Sequence, residues 1–304
     1  MGVVMTPADL LARLADDPLL LDGGLGTMLI AMGLASGQAP ERWVLEHPAR
    51  IVEAHHRYVR AGSNLIHTAT FGATPIRLAA VGLEGKCAAV NTRAVALARA
   101  AAGRGVLVAG DIGPTGIYLP PRGDAREEDL FESFAEQVHA LQGAGVDLLS
   151  IETMYDLREA RAALRAAQAS GLAVVCSMTF DITPHGIASF VGDALDTSIA
   201  SLHELGATVV GFNCTVTCDS MLTMVEQTCS ALAGVPIVAQ PNAGQPVTTN
   251  GRMHYNADPE AFGSALARMV ALGARMVGGC CGTDDTFIRA ARRSLDALVR
   301  QGSR

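Results

Sequence analysis

The chain has 304 residues, 49% hydrophobic and 17% charged, with a formal net charge of −7. That composition supplies a large core, and aromatics at 4% require it to be built from Ala, Val, Leu and Ile. An acidic chain with no basic run lacks the clustered positive field of a nucleic-acid footprint, and no segment reaches the ~18 uninterrupted apolar residues of a membrane span.

In chain order, one rhythm repeats: a short apolar stretch, a turn with glycine or polar residues, then an alanine-rich helical pattern. The apolar stretches are "LLLDGG" (19–24), "SNLIHTATF" (63–71), "GVLVAGDIGPTG" (105–116) and "DLLSIETM" (147–154), followed by "AVVCSMTFD" (173–181), "TVVGFNC" (208–214), "PIVAQPNAG" (236–244) and "RMVGGCCG" (275–282). Runs buried on both faces that alternate with helices imply a parallel sheet. Eight such units favour closure into a TIM barrel, an α/β fold of roughly 250 residues. No linker divides the chain, so the expectation is a single (β/α)8 barrel over 1–304 with its core near 18–295. Two longer turns, near 114–127 and 243–257, are candidate lids.

The opening "MGVVMTPADLLARLADD" lacks the basic start and apolar stretch of a signal peptide. Seven cysteines, at 87, 176, 214, 218, 229, 280 and 281, are an odd count. Together these features predict reduced thiols in a cytoplasmic protein, available for metal binding or catalysis.

In a TIM barrel the chemistry sits on the loops that follow the strands. Unusual residues fall there: Asp22, Thr68, Thr70, Asp111, Glu152, Asn213, Cys214, Asn242, Cys280 and Cys281. Strands six and eight are near neighbours, so Cys214 meets the Cys280–Cys281 pair across one rim. Adjacent residues on a strand face opposite ways, so both sulfurs serve one metal only if the strand stops at 280, a turn the flanking glycines permit. Three thiolates suit Zn2+ with its fourth position open. The alternatives are two inert buried cysteines, a vicinal disulfide, or a closed four-cysteine site that adds Cys218. Three thiolates and Zn2+ sum to −1, a poor Lewis acid for water but well suited to keeping a thiol deprotonated and nucleophilic.

The ordered set "LLDGGLGTML", "HTATFGA", "GDIGPTG", "IET", "FNC", "QPNAG" and "VGGCCGT" resembles the homocysteine S-methyltransferases over about residues 18–295. That family includes betaine–homocysteine and S-methylmethionine–homocysteine enzymes and the homocysteine module of cobalamin-dependent methionine synthase. The resemblance implies a zinc-dependent barrel that methylates homocysteine to methionine, with Cys214, Cys280 and Cys281 as zinc ligands. It implies that Asp22 and Glu152 hold the substrate ammonium, and that Gly23, Gly24 and Thr68 sit near its carboxylate. Asn213 and Asn242 would orient loops or ligands, and Asn242 is placed with the substrate-binding residues.

The methyl donor has several candidates. A quaternary ammonium favours aromatic faces, and the tyrosines of the betaine-type enzymes have their counterparts here at Gly72 and Thr153, with Trp43 and Tyr155 nearby in sequence. The expected donor is a small molecule such as betaine or S-methylmethionine. The alternative is methylcobalamin delivered by a separate corrinoid protein.

Overall fold

The computed structural model describes residues 4–35, 37–184, 186–249 and 252–302. Eight parallel strands wind around one barrel: β1 (Leu19–Leu20), β2 (Leu65–His67), β3 (Leu107–Ile112), β4 (Leu148–Met154), β5 (Val174–Met178), β6 (Val209–Asn213), β7 (Ile237–Gln240) and β8 (Ala274–Val277). From β2 to β8 each strand pairs with its sequence neighbour, and β8 pairs with β1. Asn64 closes the seam between β1 and β2. Its N–H donates to the Leu20 carbonyl at 2.6 Å, and its Oδ1 accepts from the Leu20 N–H at 3.0 Å.

Alternation along the strands sorts the barrel interior by polarity. At the base Leu65, Ala109, Leu148, Val175, Val209, Val238 and Met276 form an apolar plug. Two residues further along β2, β3, β4, β5 and β7, on the same face, stand His67, Asp111, Ser150, Ser177 and Gln240, all buried. The polar mouth is thus a direct product of a period of two.

The N-terminal segment seals the base. Thr6 caps the helix Pro7–Asp16, its side chain accepting from the Asp9 N–H while Asp9 reaches back to Thr6. That helix buries Leu10 and Leu14 in the plug, and Met5 joins the ends of neighbouring strands through Asp147 and Ala173. The outer layer owes its close approach to alanine. The helix Leu157–Gln168 buries Ala160, Ala163, Leu164 and Ala167, a stripe of helical spacing.

Several strands are shorter than the apolar runs suggest. β8 stops at Val277, not at 280, because backbone bonds beyond it cross to other loops. Gly279 N–H donates to the Asp22 carbonyl (2.9 Å) and Cys280 N–H to the Pro241 carbonyl (2.9 Å). The long turn near 243–257 holds an antiparallel hairpin, Pro246–Thr249 with Arg252–Tyr255, whose tip at 250–251 lies outside the described residues. A second hairpin, Asp181–Thr183 with Gly186–Ala188, follows β5. Among the described residues no helix is long and apolar enough to cross a membrane.

Candidate metal centre and substrate cavity

Cys214, Cys280 and Cys281 converge at the mouth. Their sulfurs all lie within 4.8 Å of one another, and Cys214 Sγ stands 3.7 Å from Cys281 Sγ. Tetrahedral zinc with Zn–S bonds of about 2.3 Å calls for sulfurs about 3.8 Å apart, whereas a disulfide needs about 2.05 Å. The spacing and the donor set therefore fit a metal and do not fit a bridge.

Backbone geometry delivers these sulfurs. Cys214 and Thr215 are both left-handed, with φ of 63° and 53°, a conformation rare outside glycine. The Cys214 N–H donates to the Gln240 carbonyl at 3.0 Å. Asn242 fixes the other side, its Oδ1 accepting from the Cys281 N–H at 3.0 Å. Gly24 lets the first loop lie against the eighth, since a side-chain carbon there would come within 2.5 Å of the Cys280 carbonyl oxygen.

Protons are shared within the trio. Hydrogen bonds from the Cys214 and Cys280 thiols pull Cys281 down to about 3, with help from the Tyr255 hydroxyl. Hydrogen bonding to Cys214 and Cys281, with burial, holds Cys280 well above its ordinary value. Hydrogen bonding within the trio thus favours the thiolate form of Cys281 over that of Cys280. Cys218 begins the helix Cys218–Ala231 and stands outside the trio, its thiol pushed up to about 12 by burial. Among the described residues no fourth cysteine closes the site.

The three cysteines form one wall of a cavity of about 440 Å³, which Gly23, Gly24, Thr68, Asp111 and Glu152 also line. Burial pushes the Glu152 carboxyl up to about 7, with His67 opposing and Asp22 adding to the rise. Burial also holds Asp111 well above the carboxylate range, the Glu152 charge reinforcing it. Asp111 Oδ1 is buried without a hydrogen-bond partner among the described residues.

Asp22 and Asn242 stand behind this wall. Asp22 is 1% exposed, and both of its carboxylate oxygens face His67. Oδ1 is 2.7 Å from Nδ1, and Oδ2 accepts from the backbone N–H at 2.9 Å. His67 Nε2 lies 3.1 Å from Ser150 Oγ, and the imidazole itself lines the cavity. Burial alone would push His67 down, but the Asp22 carboxylate overrides it and raises the ring to about 10. The Asp22 carboxylate thus favours the charged form of the imidazole that stands between it and the cavity. Sequence reading passed over it, although its place two residues after Leu65 puts it on the inward face. Asn242 spends its Oδ1 on the Cys281 backbone.

The aromatic residues near in sequence do not form a cage on the cavity wall. Trp43 is 6% exposed and packs edge-on against His47. Tyr155 packs against Tyr118 and Phe190 in a rim cluster. Phe71 is the aromatic side chain among the described lining residues.

Residues 19–295 match the sequence model of the homocysteine S-methyltransferase family. A crystal structure of the metallated homocysteine methyltransferase MmuM from Escherichia coli is 29% identical, with a TM-score of 0.77, covering 93% of this chain and 98% of that one. The methionine synthases of Mycobacterium leprae and Mycobacterium tuberculosis are each 28% identical over 97% and 96% of this chain. This chain spans about a quarter, 26%, of the length of those two relatives.

Proposed function

Since this chain belongs to the homocysteine S-methyltransferase family, we propose that it transfers a methyl group from a small-molecule onium donor, such as betaine or S-methylmethionine, to the thiol of homocysteine, giving methionine with the help of zinc. The observation that carries this reading is the meeting of three cysteine sulfurs at metal-binding spacing on the wall of one cavity. Zinc held by Cys214, Cys280 and Cys281 would keep the homocysteine thiol deprotonated at neutral pH while leaving its sulfur nucleophilic.

The chain's own residues do the rest. Glu152, Asp111 and Glu41 are carboxyl groups among the described lining residues; Glu41 is engaged by the Gly72 N–H, and the unpartnered Asp111 Oδ1 suits a cationic ligand. We assign the substrate ammonium to Glu152 with Asp111. Asp22 acts one step back, by holding His67 charged and fixed. Gly23, Gly24 and Thr68 offer the substrate carboxylate a place on the cavity wall, and Asn242 positions Cys281. In the transfer, the thiolate sulfur bonds to the donor's methyl carbon as the bond from that carbon to the positive nitrogen or sulfur breaks. Its electron pair stays on the departing amine or thioether.

The likeness to the mycobacterial methionine synthases supports a second reading, in which methylcobalamin on a corrinoid protein supplies the methyl group. Zinc-loaded protein incubated with homocysteine and betaine, S-methylmethionine or methylcobalamin, and assayed for methionine, separates the two. Methionine from betaine or S-methylmethionine without any added protein is the expected result. Methionine from methylcobalamin alone would establish the second reading. Failure of homocysteine to perturb the absorption of the cobalt-substituted protein would leave only a barrel with a structural metal.

A further inference from the structure

The cavity has a second pole, built from the loops after β1 and β2 rather than from those that carry the sulfurs. Its wall there is made by Gly37 to Glu41 of the first loop and by Phe71, Gly72, Arg77 and Val81 after β2. Arg77 is the cation of that pole. It sits in the short helix Pro75–Ala80, and its own N–H donates to the capping Thr74 Oγ1 at 3.2 Å.

Two glycines shape the bed of its side chain. A side-chain carbon at Gly72 would stand 3.2 Å from the Arg77 Cγ, and one at Gly116 would collide with Nη1. The guanidinium therefore lies along the backbone of the third loop. The acids that feel its charge are already served by other donors. Glu41 Oε1 accepts from the Gly72 N–H at 2.6 Å. Glu159 Oε1 accepts from the Thr115 N–H at 2.8 Å and the Thr115 hydroxyl at 2.6 Å. Among the described residues no carboxylate ion-pairs with Arg77. A planar fork of N–H donors thus stands at the exposed edge of a ligand cavity without a carboxylate partner among the described residues, and such a fork matches a carboxylate.

Resting on the proposed methyl transfer, we propose that Arg77 anchors the carboxylate of the methyl donor, making the outer pole a donor subsite selective for carboxylate-bearing onium compounds. A donor tethered there by its carboxylate directs its positive head past Phe71 toward the sulfurs. Betaine and S-methylmethionine both carry the required group, and methylcobalamin has no free carboxylate to offer.

The test measures binding without turnover. Zinc-loaded protein, its homocysteine subsite filled with the thiol-free analogue 2-aminobutyrate, is titrated calorimetrically with betaine, S-methylmethionine and the carboxamide of each. The same titrations are run on Arg77→Met and Arg77→Lys. At least one carboxylate form is expected to bind tenfold or more tighter than its carboxamide, and which one does identifies the donor. Arg77→Met should abolish that preference with carboxamide binding unchanged, and Arg77→Lys should restore part of it. A preference that survives in Arg77→Met, or none in the unmodified protein, overturns the subsite. Loss of the preference without any methionine formation would retain the subsite and remove the transfer reading. Methionine formation without the preference would do the reverse.

Discussion

Asn213 and Thr153 hold each other by two hydrogen bonds across the barrel mouth. The Thr153 N–H donates to Asn213 Oδ1 at 2.8 Å, and Asn213 Nδ2 donates to Thr153 Oγ1 at 2.7 Å. Thr153 is left-handed, with φ of 60°, and this reciprocal pair is what offsets the strain. Asn213 also accepts from Ser177 Oγ at 2.8 Å, and its Nδ2 lies 3.8 Å from Cys280 Sγ. One side chain therefore ties β4, β5 and β6 to the cysteine pair.

Asn213→Ala should accordingly cost stability and metal affinity together. Three hydrogen bonds are lost, two to Thr153 and one to Ser177, at about 1 kcal/mol net each, so urea unfolding should show a loss of roughly 3 kcal/mol. Zinc should also dissociate faster to a chromogenic chelator. A variant that loses stability but binds zinc unchanged would confine Asn213 to the scaffold.

Metal content gives a second prediction. The protein should purify with about one zinc per chain, and Cys214→Ser, Cys280→Ser and Cys281→Ser should each lose it, as measured by atomic absorption. Cys218→Ser should keep the metal, because Cys218 lies outside the trio. Chelation of the unmodified protein should lower its melting temperature, since binding to the native state adds to its stability. Retention of full zinc by Cys214→Ser would refute the ligand set.

The Glu152 carboxyl predicts a pH profile. Burial raises it to about 7, so below that pH it is protonated and offers the substrate ammonium no charge. The kcat/KM for homocysteine should fall with decreasing pH through about 7. Glu152→Gln should flatten that limb and lower kcat/KM by about 10–100-fold, the usual worth of a hydrogen bond to a charged group. Asp111→Asn should raise KM for homocysteine more than it changes kcat. An unaltered acid limb in Glu152→Gln would assign the titration to another group.

The barrel was legible because its strands and helices follow simple periods, and "GDI", "IET" and "FNC" each carry a polar residue, Asp111, Glu152 and Asn213, at or near a strand's end. Strand ends were less so. The bonds that stop β8 at Val277 come from residues 22 and 241, which local pattern does not contain. The hairpin Asp181–Thr183 with Gly186–Ala188 was missed because strands of three residues, mostly exposed, carry no alternation. The His67–Asp22 pair links residues 45 apart, so neither sequence neighbourhood announces the other. The same holds for Trp43 and Tyr155: sequence gave their distance along the chain from the cavity, and packing against His47 and Tyr118 decided where their rings went.

A last prediction concerns His55, in the helix Pro48–Ala61. It is fully buried, and neither ring nitrogen has a hydrogen-bond partner among the described residues. Burial pushes its pKa from 6.5 down to about 4, against the pull of the Asp22 carboxylate. The unfolded chain therefore takes up a proton near pH 6.5 that the folded chain refuses until about 4. Between those values stability must fall as pH falls, by about 1.4 kcal/mol per unit, on the order of 3 kcal/mol in all. His67 works in the opposite sense: raised to about 10, it contributes stability that is complete below pH 6.5 and is lost as pH rises through 10. Urea midpoints measured from pH 7 to 4.5 should thus decline in the unmodified protein and decline less in His55→Leu, which fills similar space without a titrating group. Equal slopes in the two proteins would show that carboxylates elsewhere, and not His55, set the acid limb of stability.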